Sequence, residues 1–514
     1  MRIRNINLNL PEQRVIAKYN IELWLIENEQ FSLVQNNQLV LYLDKDNFSF
    51  SVEFNKLIFS YWTEKKAESW QVVSYKVTQD RLYFDLFIPF KNQVVSYFLE
   101  VKNLDKELDF VESISKNYLA QLCDVIERHF VNYSIKKASI SYKPNLGYCT
   151  ATARLVIRSN TILIAAIGMN RFESLDRLKG LLGQALKWLS FLQNSFAPIK
   201  IEKLMIFAPN KVIEILAERL SLISLSEHKI ELFEFDEISN TITFVNPFDQ
   251  GDLGLSLAKH KKLLKVKMSS EIVKKIEWLK LLAPSLIETK ENFDRSKIGF
   301  EINGLEFAAI YLKTGVIEFG CREKKLLLAE NKEEIITLVK DISYYRHYDS
   351  PDKQHYYYKA KTENWLEQII SKNISALDPN IINHYFYRQV PIIKQNHKFI
   401  DLLAIRRDGQ LVIIELKTVE DLDVAFQALD YWLRVEWYRL RGDFQKFYFP
   451  EIKIKNTSPL LYLVMPRLRC HRDLLTVASF IDPKVPLYRI AINDNWRQEL
   501  KIESRERINK FGCV

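Results

Sequence analysis

Glycine is scarce in this 514-residue chain, 13 in all, and no Gly-x-x-x-x-Gly-Lys-Ser/Thr loop occurs. A phosphate-cradling nucleotide loop of that kind is therefore excluded, and nothing points to an ATP-driven motor. The five cysteines, Cys123, Cys149, Cys321, Cys470 and Cys513, are odd in number, widely separated and form no Cys-x-x-Cys pair. A disulfide framework or zinc ribbon is not expected, and reduced thiols are. The eight histidines show no pairing at metal-ligand spacing, so zinc hydrolase chemistry lacks its ligands. No apolar run is long enough to span a bilayer, and Met1-Arg2-Ile3-Arg4-Asn5-Ile6-Asn7 carries no signal-peptide core. The expectation is a soluble cytoplasmic protein without a membrane partner.

What is present is apolar residues enough for several cores: 47% of the chain is hydrophobic, and its length exceeds one ordinary domain. Formal net charge is +9 with a pI near 8.9, which permits polyanionic partners without demanding them. Residues 1–105 read as a β-rich domain, because runs such as Phe48-Ser49-Phe50-Ser51-Val52 alternate apolar and polar. A helix follows with Leu119, Leu122, Cys123, Ile126 and Phe130 on one side, and with the strands and helices after it makes an α/β domain over 106–250. Residues 251–355 form an α+β connecting region holding a basic run, Lys259 to Lys267, and an Asn303-Gly304 hairpin turn. The aromatic and basic segment Tyr344 to Lys359 reads either as a base-stacking surface or as a linker on the domain surface. A last α/β domain covers 356–514. The fold class is α/β, or α+β across several domains.

The most informative stretch is Phe399-Ile400-Asp401 through Glu415-Leu416-Lys417-Thr418: two apolar runs joined by Asp408-Gly409, with charges where the strands end. If Arg407-Asp408-Gly409 is a three-residue loop with Gly409 left-handed, Ile405 lies opposite Leu411 and Asp401 opposite Glu415. Asp401, Glu415 and Lys417 then project from one face. Opposed carboxylates repel unless protonated or bridged by a hard cation such as Mg²⁺.

An Asp, a hairpin and Glu-x-Lys on its second strand resemble the active site of the PD-(D/E)xK nuclease superfamily. Gln427, Tyr431, Arg434 and Tyr438 fall on one helical stripe, and Gln-x-x-x-Tyr is similar to the added motif of RecB-like members. Thr362 to Ile370 resembles the family's first helix, in which either Glu363 or Glu367 would reach the site. Ile400 stands where the Pro of the family name would be. The wider stretch from Asp421 to Val435 also looks like a group of bacterial predicted endonucleases. The resemblance covers roughly the last 150 residues. It implies a restriction-endonuclease-like αβββαβ core, with Mg²⁺ or Mn²⁺ held by Asp401, Glu415 and the Leu416 carbonyl. Lys417 would orient the attacking water, Gln427 and Tyr431 would orient Lys417 or a phosphate, and Arg434 with Tyr438 would contact DNA. The partner implied is nucleic acid, DNA before RNA, with a homodimer left open.

The order of elements in the middle domain repeats that of the last one, which suggests a degenerate copy. Gln184-Ala185-Leu186-Lys187-Trp188 aligns with Gln427-Ala428-Leu429-Asp430-Tyr431, and Pro209 with Pro466. Aligning the hairpins sets Thr152 against Asp401, Ala166 against Glu415 and Gly168 against Lys417, so the first copy has no metal-binding group there.

Overall fold

The computed structural model describes every residue except 1–5, 9, 27–29, 36–37, 45–46, 54, 63–66, 79–80, 90–92, 102–103, 142–151, 161, 197–200, 225–228, 250–267, 293–295, 394–397 and 510–514. The basic run Lys259 to Lys267 lies outside the described residues. The chain is mixed α/β and falls into two compact units, one built mainly of Met1–Ile114 and the other holding most of the rest.

The first unit is an antiparallel sheet of eight strands among the described residues, from Ile6–Asn7 to Gln93–Val101. One face is apolar: Phe50, Phe59 and Phe84 pack ring against ring with centroids 4.9–5.5 Å apart. The alternation of Phe48 to Val52 produces this, since residues two apart share a face. A helix, Pro11–Ile26, covers that face with Ala17, Ile21 and Trp24, at the three-to-four-residue spacing that puts them on one side.

The second unit contains two six-stranded sheets that repeat one another. The first runs through Tyr133–Ser141, Thr152–Ser159, Ile162–Met169, Ile201–Ala208, Lys229–Asp236 and Thr241–Val245. The second runs through Ile381–Ile393, Lys398–Arg406, Leu411–Leu416, Leu460–Pro466, Leu487–Ile492 and Ile502–Arg507. In both, neighbours pair in chain order, and the successive pairings are antiparallel, antiparallel, parallel, parallel, antiparallel. Each parallel step needs a crossover: helices Leu181–Phe196 and Val424–Leu440 supply the first in each module, and Asn210–Leu220 and Leu474–Ala478 lie in the second. These two helices turn inward onto a single apolar core that both modules share, with Leu182, Leu186 and Leu189 in it beside Ala425, Leu429 and Val435. The outer face of each sheet is covered by its own helix, Leu104–His129 or Thr362–Lys372.

The first hairpin departs from the sequence expectation by two residues at the counterpart of Asp401 and by one at the others. Ser159 pairs with Ile162 across a two-residue turn, whereas Ile405 pairs with Leu411 across a longer one. Glu415 lies opposite Leu463 and Ile167 opposite Ile206, each three residues before its proline, so Ile167 is the true counterpart of Glu415. Arg154, opposite Ile167, then corresponds to Asp401, and Met169 to Lys417. Thr152, Ala166 and Gly168 are not the counterparts. Ala166 belongs to the core on the other face of the sheet, because a one-residue slip moves every side chain across it.

Lys297–Ile302 and Leu305–Tyr311 in the connecting region form the expected tight hairpin, with Asn303 and Gly304 at φ 46° and 74°. Arg346 is fully buried there. Its guanidinium donates to the carbonyls of Ile302, Asn303, Tyr357, Ala360 and Lys361 and lies over the Trp365 ring. The segment that sequence left open between nucleic-acid surface and linker is thus tied down by Arg346, and Tyr345 stacks on His355 at 3.6 Å rather than presenting both faces outward.

Candidate active site

The turn that sets the site forms as its residues require. Gly409 has φ 84°, its N–H donates to the Arg406 carbonyl at 2.9 Å, and the Arg406 N–H donates to the Gln410 carbonyl at 2.9 Å. A Cβ at Gly409 would stand 2.2 Å from the Lys453 carbonyl oxygen. Gly409→Ala therefore meets both an unfavourable backbone region and a collision, and is expected to cost about 1–3 kcal/mol of stability. Chemical denaturation reads this out; an unchanged midpoint would mean that the turn does not constrain the register.

Leu402 pairs with Ile414, which brings Asp401 opposite Glu415 just beyond the ladder, and the Leu416 N–H donates to Asp401 Oδ2 at 2.9 Å. Leu411 and Ile413 face the shared core, so Glu415 lies on that face, toward helix Val424–Leu440, while Asp401 and Lys417 sit where the strands end and residues of helix Thr362–Lys372 also reach them. The position is the carboxyl end of a parallel strand, where open α/β sheets gather ligands. Lys417 Nζ lies 3.7 Å from Glu415 Oε1, 3.8 Å from Glu363 Oε1 and 3.8 Å from Asp421 Oδ2.

The two candidate glutamates of helix Thr362–Lys372 separate clearly. Glu363 faces Lys417. Glu367, one turn on, is buried against Lys290 at 3.0 Å and Arg388, and accepts from Gln389 Nε2 at 2.6 Å. The same Gln389 amide lies 3.2 Å from Asp401 Oδ1. Gln389 adopts φ 49°, a conformation costly for a side chain larger than glycine, and no pattern in the sequence marks it. Sequence marks none of Lys290, Arg388 and Gln389: Lys290 comes from a neighbouring sheet 77 residues before Glu367, and Arg388 and Gln389 are turned to the site by the irregular strand Ile381–Ile393. Asp421 carried a detectable signal, four residues after Lys417.

Gln427 Nε2 donates to the Tyr431 hydroxyl at 3.2 Å, and Tyr431 is close enough to Glu415 and Asp401 to feel their charge. The lower half of the stripe does not reach the site. Arg434 donates to Glu218 of the first module at 2.8 Å and to the Asp430 carbonyl, and Tyr438 is fully buried with its ring against Phe444. Both are used in packing the two modules. Arg467, Arg469 and Arg472, in contrast, are exposed on the segment leaving the next parallel strand, at the same end of the sheet as Lys417.

Burial dominates the electrostatics. Desolvation pushes Asp401 up to about 7, with Glu367 and Glu363 adding to the rise, while the Leu416 N–H opposes it. Desolvation and the charge of Asp401 push Glu415 well above the usual carboxylate range, and burial raises Glu363 as well. Glu367 goes the other way: burial would raise it, but Lys290, Arg388 and the Gln389 bond outweigh that. Lys417 loses some basicity to desolvation, yet Glu363, Glu415, Asp421 and Asp401 more than restore it and hold it as the ammonium.

Because the folded state binds the Asp401 proton more tightly than the unfolded chain does, this group stabilises the fold below its unfolded value near 3.8 and loses that contribution as pH rises toward about 7. Asp401→Asn is expected to raise Tm at pH 8 in metal-free buffer by several degrees while changing little at pH 4. An unchanged Tm at pH 8 would remove the desolvated carboxylate.

Glu415 Oε2 is buried with no hydrogen-bond partner, which is costly unless a proton or a cation answers it. Two facing carboxylates and nearby main-chain oxygens suit a hard cation such as Mg²⁺, which keeps several of its waters. Among the described residues no group of three or more His, Cys, Asp or Glu forms a ready metal cage. Comparison of the chain with family models and with curated protein sequences finds no match.

Proposed function

We propose that the chain is a metal-dependent nuclease of the PD-(D/E)xK kind that hydrolyses phosphodiester bonds, with DNA as its preferred substrate. The observation that carries this reading is the nearness of Asp401 and Glu415 just beyond the strand ladder, an unanswered buried oxygen on Glu415, and a charged Lys417 beside them. Asp401 and Glu415 would hold Mg²⁺ or Mn²⁺, with the Leu416 carbonyl as a third donor and Glu363 as the reserve carboxylate. The cation would polarise the phosphate and make an attacking water easier to deprotonate.

Lys417 acts as a cation rather than a base. Its ammonium orients the water and balances the negative charge that builds on the phosphate oxygens. The water oxygen bonds to phosphorus, the bond to the leaving sugar oxygen breaks, and one proton is delivered to that oxygen. Gln427 and Tyr431 fix the near wall of the site, and Gln389 holds Asp401 while Glu367 holds Gln389. Arg467, Arg469 and Arg472 offer charge to the backbone phosphates.

End-labelled single-stranded, duplex and branched DNA, and RNA, incubated with Mg²⁺, Mn²⁺ or EDTA, test the reading. Cleavage that needs the cation supports it. Binding without cleavage in every condition would instead favour a nucleic-acid-binding scaffold, for which the first module, with Arg154, Ile167 and Met169 at the corresponding positions, sets the precedent.

A further inference from the structure

The two modules meet through corresponding surfaces. Lys187 and Asp430 occupy the same place on helices Leu181–Phe196 and Val424–Leu440, and each reaches into the other module: Lys187 pairs with Asp473, and Asp430 with Arg219. The segments that follow the next helix of each module also pair, Ile223 with Ile481 in an antiparallel bridge. Around it the Ser224 N–H donates to the Phe480 carbonyl at 2.8 Å, and the Asp482 N–H to the Leu222 carbonyl at 2.9 Å. A surface that contacts its own counterpart is what a two-fold interface looks like.

Charge makes this pairing one between unlike modules. Two copies of the second module placed on this face would set Asp430 against Asp473, two carboxylates where Lys187 and Asp473 now attract. The place is taken in any case, because the helices of both modules share one continuous core.

We propose that the chain is a fused pseudo-dimer in which the first module replaces a second copy, so that a single reaction centre cuts one strand of duplex DNA per encounter. The proposal rests on the nuclease reading. It follows from the counterparts of Asp401, Glu415 and Lys417 being Arg154, Ile167 and Met169, none of which can hold a cation. Arg154 lies over the Trp188 ring instead. One water adds across one phosphorus–oxygen bond, and the second strand is left whole.

Supercoiled plasmid incubated with the full chain and Mg²⁺ or Mn²⁺ tests this, together with light scattering for mass. Nicked circles should accumulate first, linear molecules should follow only through independent later cuts, and the mass should be that of one 60.7 kDa chain. Linear product formed without a nicked intermediate, or a particle of two chains, overturns the proposal. Absence of cleavage sinks the nuclease reading, and calorimetry with Mn²⁺ then judges the single centre separately: binding that disappears in Glu415→Ala supports it, and binding that persists overturns it.

Discussion

Lys417→Ala is expected to lower cleavage by at least about a hundredfold, the scale on which losing one charge-stabilising group acts in a desolvated site. Glu415→Gln should do the same or more, because it removes the proposed cation ligand and leaves the shape of the strand intact. The two variants differ in a second readout. Mn²⁺ should raise the Tm of wild type and of Lys417→Ala, and should leave Glu415→Gln where it is, since only the latter loses a ligand. If both variants cleave as wild type does, the assignment of this hairpin as the reaction centre fails.

The second large effect concerns the buried pair between the modules. Arg219 grips both oxygens of Asp430 at 2.8 and 2.9 Å, with both side chains about 3% exposed. Asp430→Ala leaves the guanidinium buried with only the Lys179 carbonyl and the more distant charges of Asp423 and Glu218 to answer it, and should cost about 3 kcal/mol. Arg219→Met combined with Asp430→Leu should recover most of that loss, since neither member is then stranded and the volume is kept. Urea unfolding monitored by tryptophan fluorescence distinguishes the cases. A single variant as stable as the double one would mean that water reaches Arg219 and that the modules pack more loosely than their shared core suggests.

The aspect of the site that bears most on mechanism is the state of Lys417. With Glu363, Glu415 and Asp421 all within 3.8 Å, its charge is secured by neighbours before any substrate arrives. A lysine so placed can steer and stabilise but has little tendency to accept a proton. Glu363 and Asp421 therefore matter through Lys417 as well as through any cation. Glu367 matters through Gln389, which is held between it and Asp401.

Sequence by itself determined what depends on neighbours within about twenty residues, because strand alternation and turn chemistry are local rules. The Arg407 to Gly409 turn, the facing of Asp401 and Glu415, the Gln427 and Tyr431 pair and the Asn303-Gly304 hairpin could all be read from spacing alone. The repeated order of strands and helices was legible for the same reason. Local spacing failed at the first module's hairpin, where the turn lies later than expected and is one residue shorter, so that the counterparts are Arg154, Ile167 and Met169. Only the tertiary structure decided which glutamate faces Lys417, that Lys417 stays charged, and that Gln389, Lys290 and Arg388 support Asp401. It also turned Arg434 and Tyr438 away from the site and into the packing of the modules, where Arg434 meets Glu218 from 216 residues earlier. A helical stripe tells which residues share a side; what that side meets is set by the burial of the whole sheet and by charges brought together from distant parts of the chain.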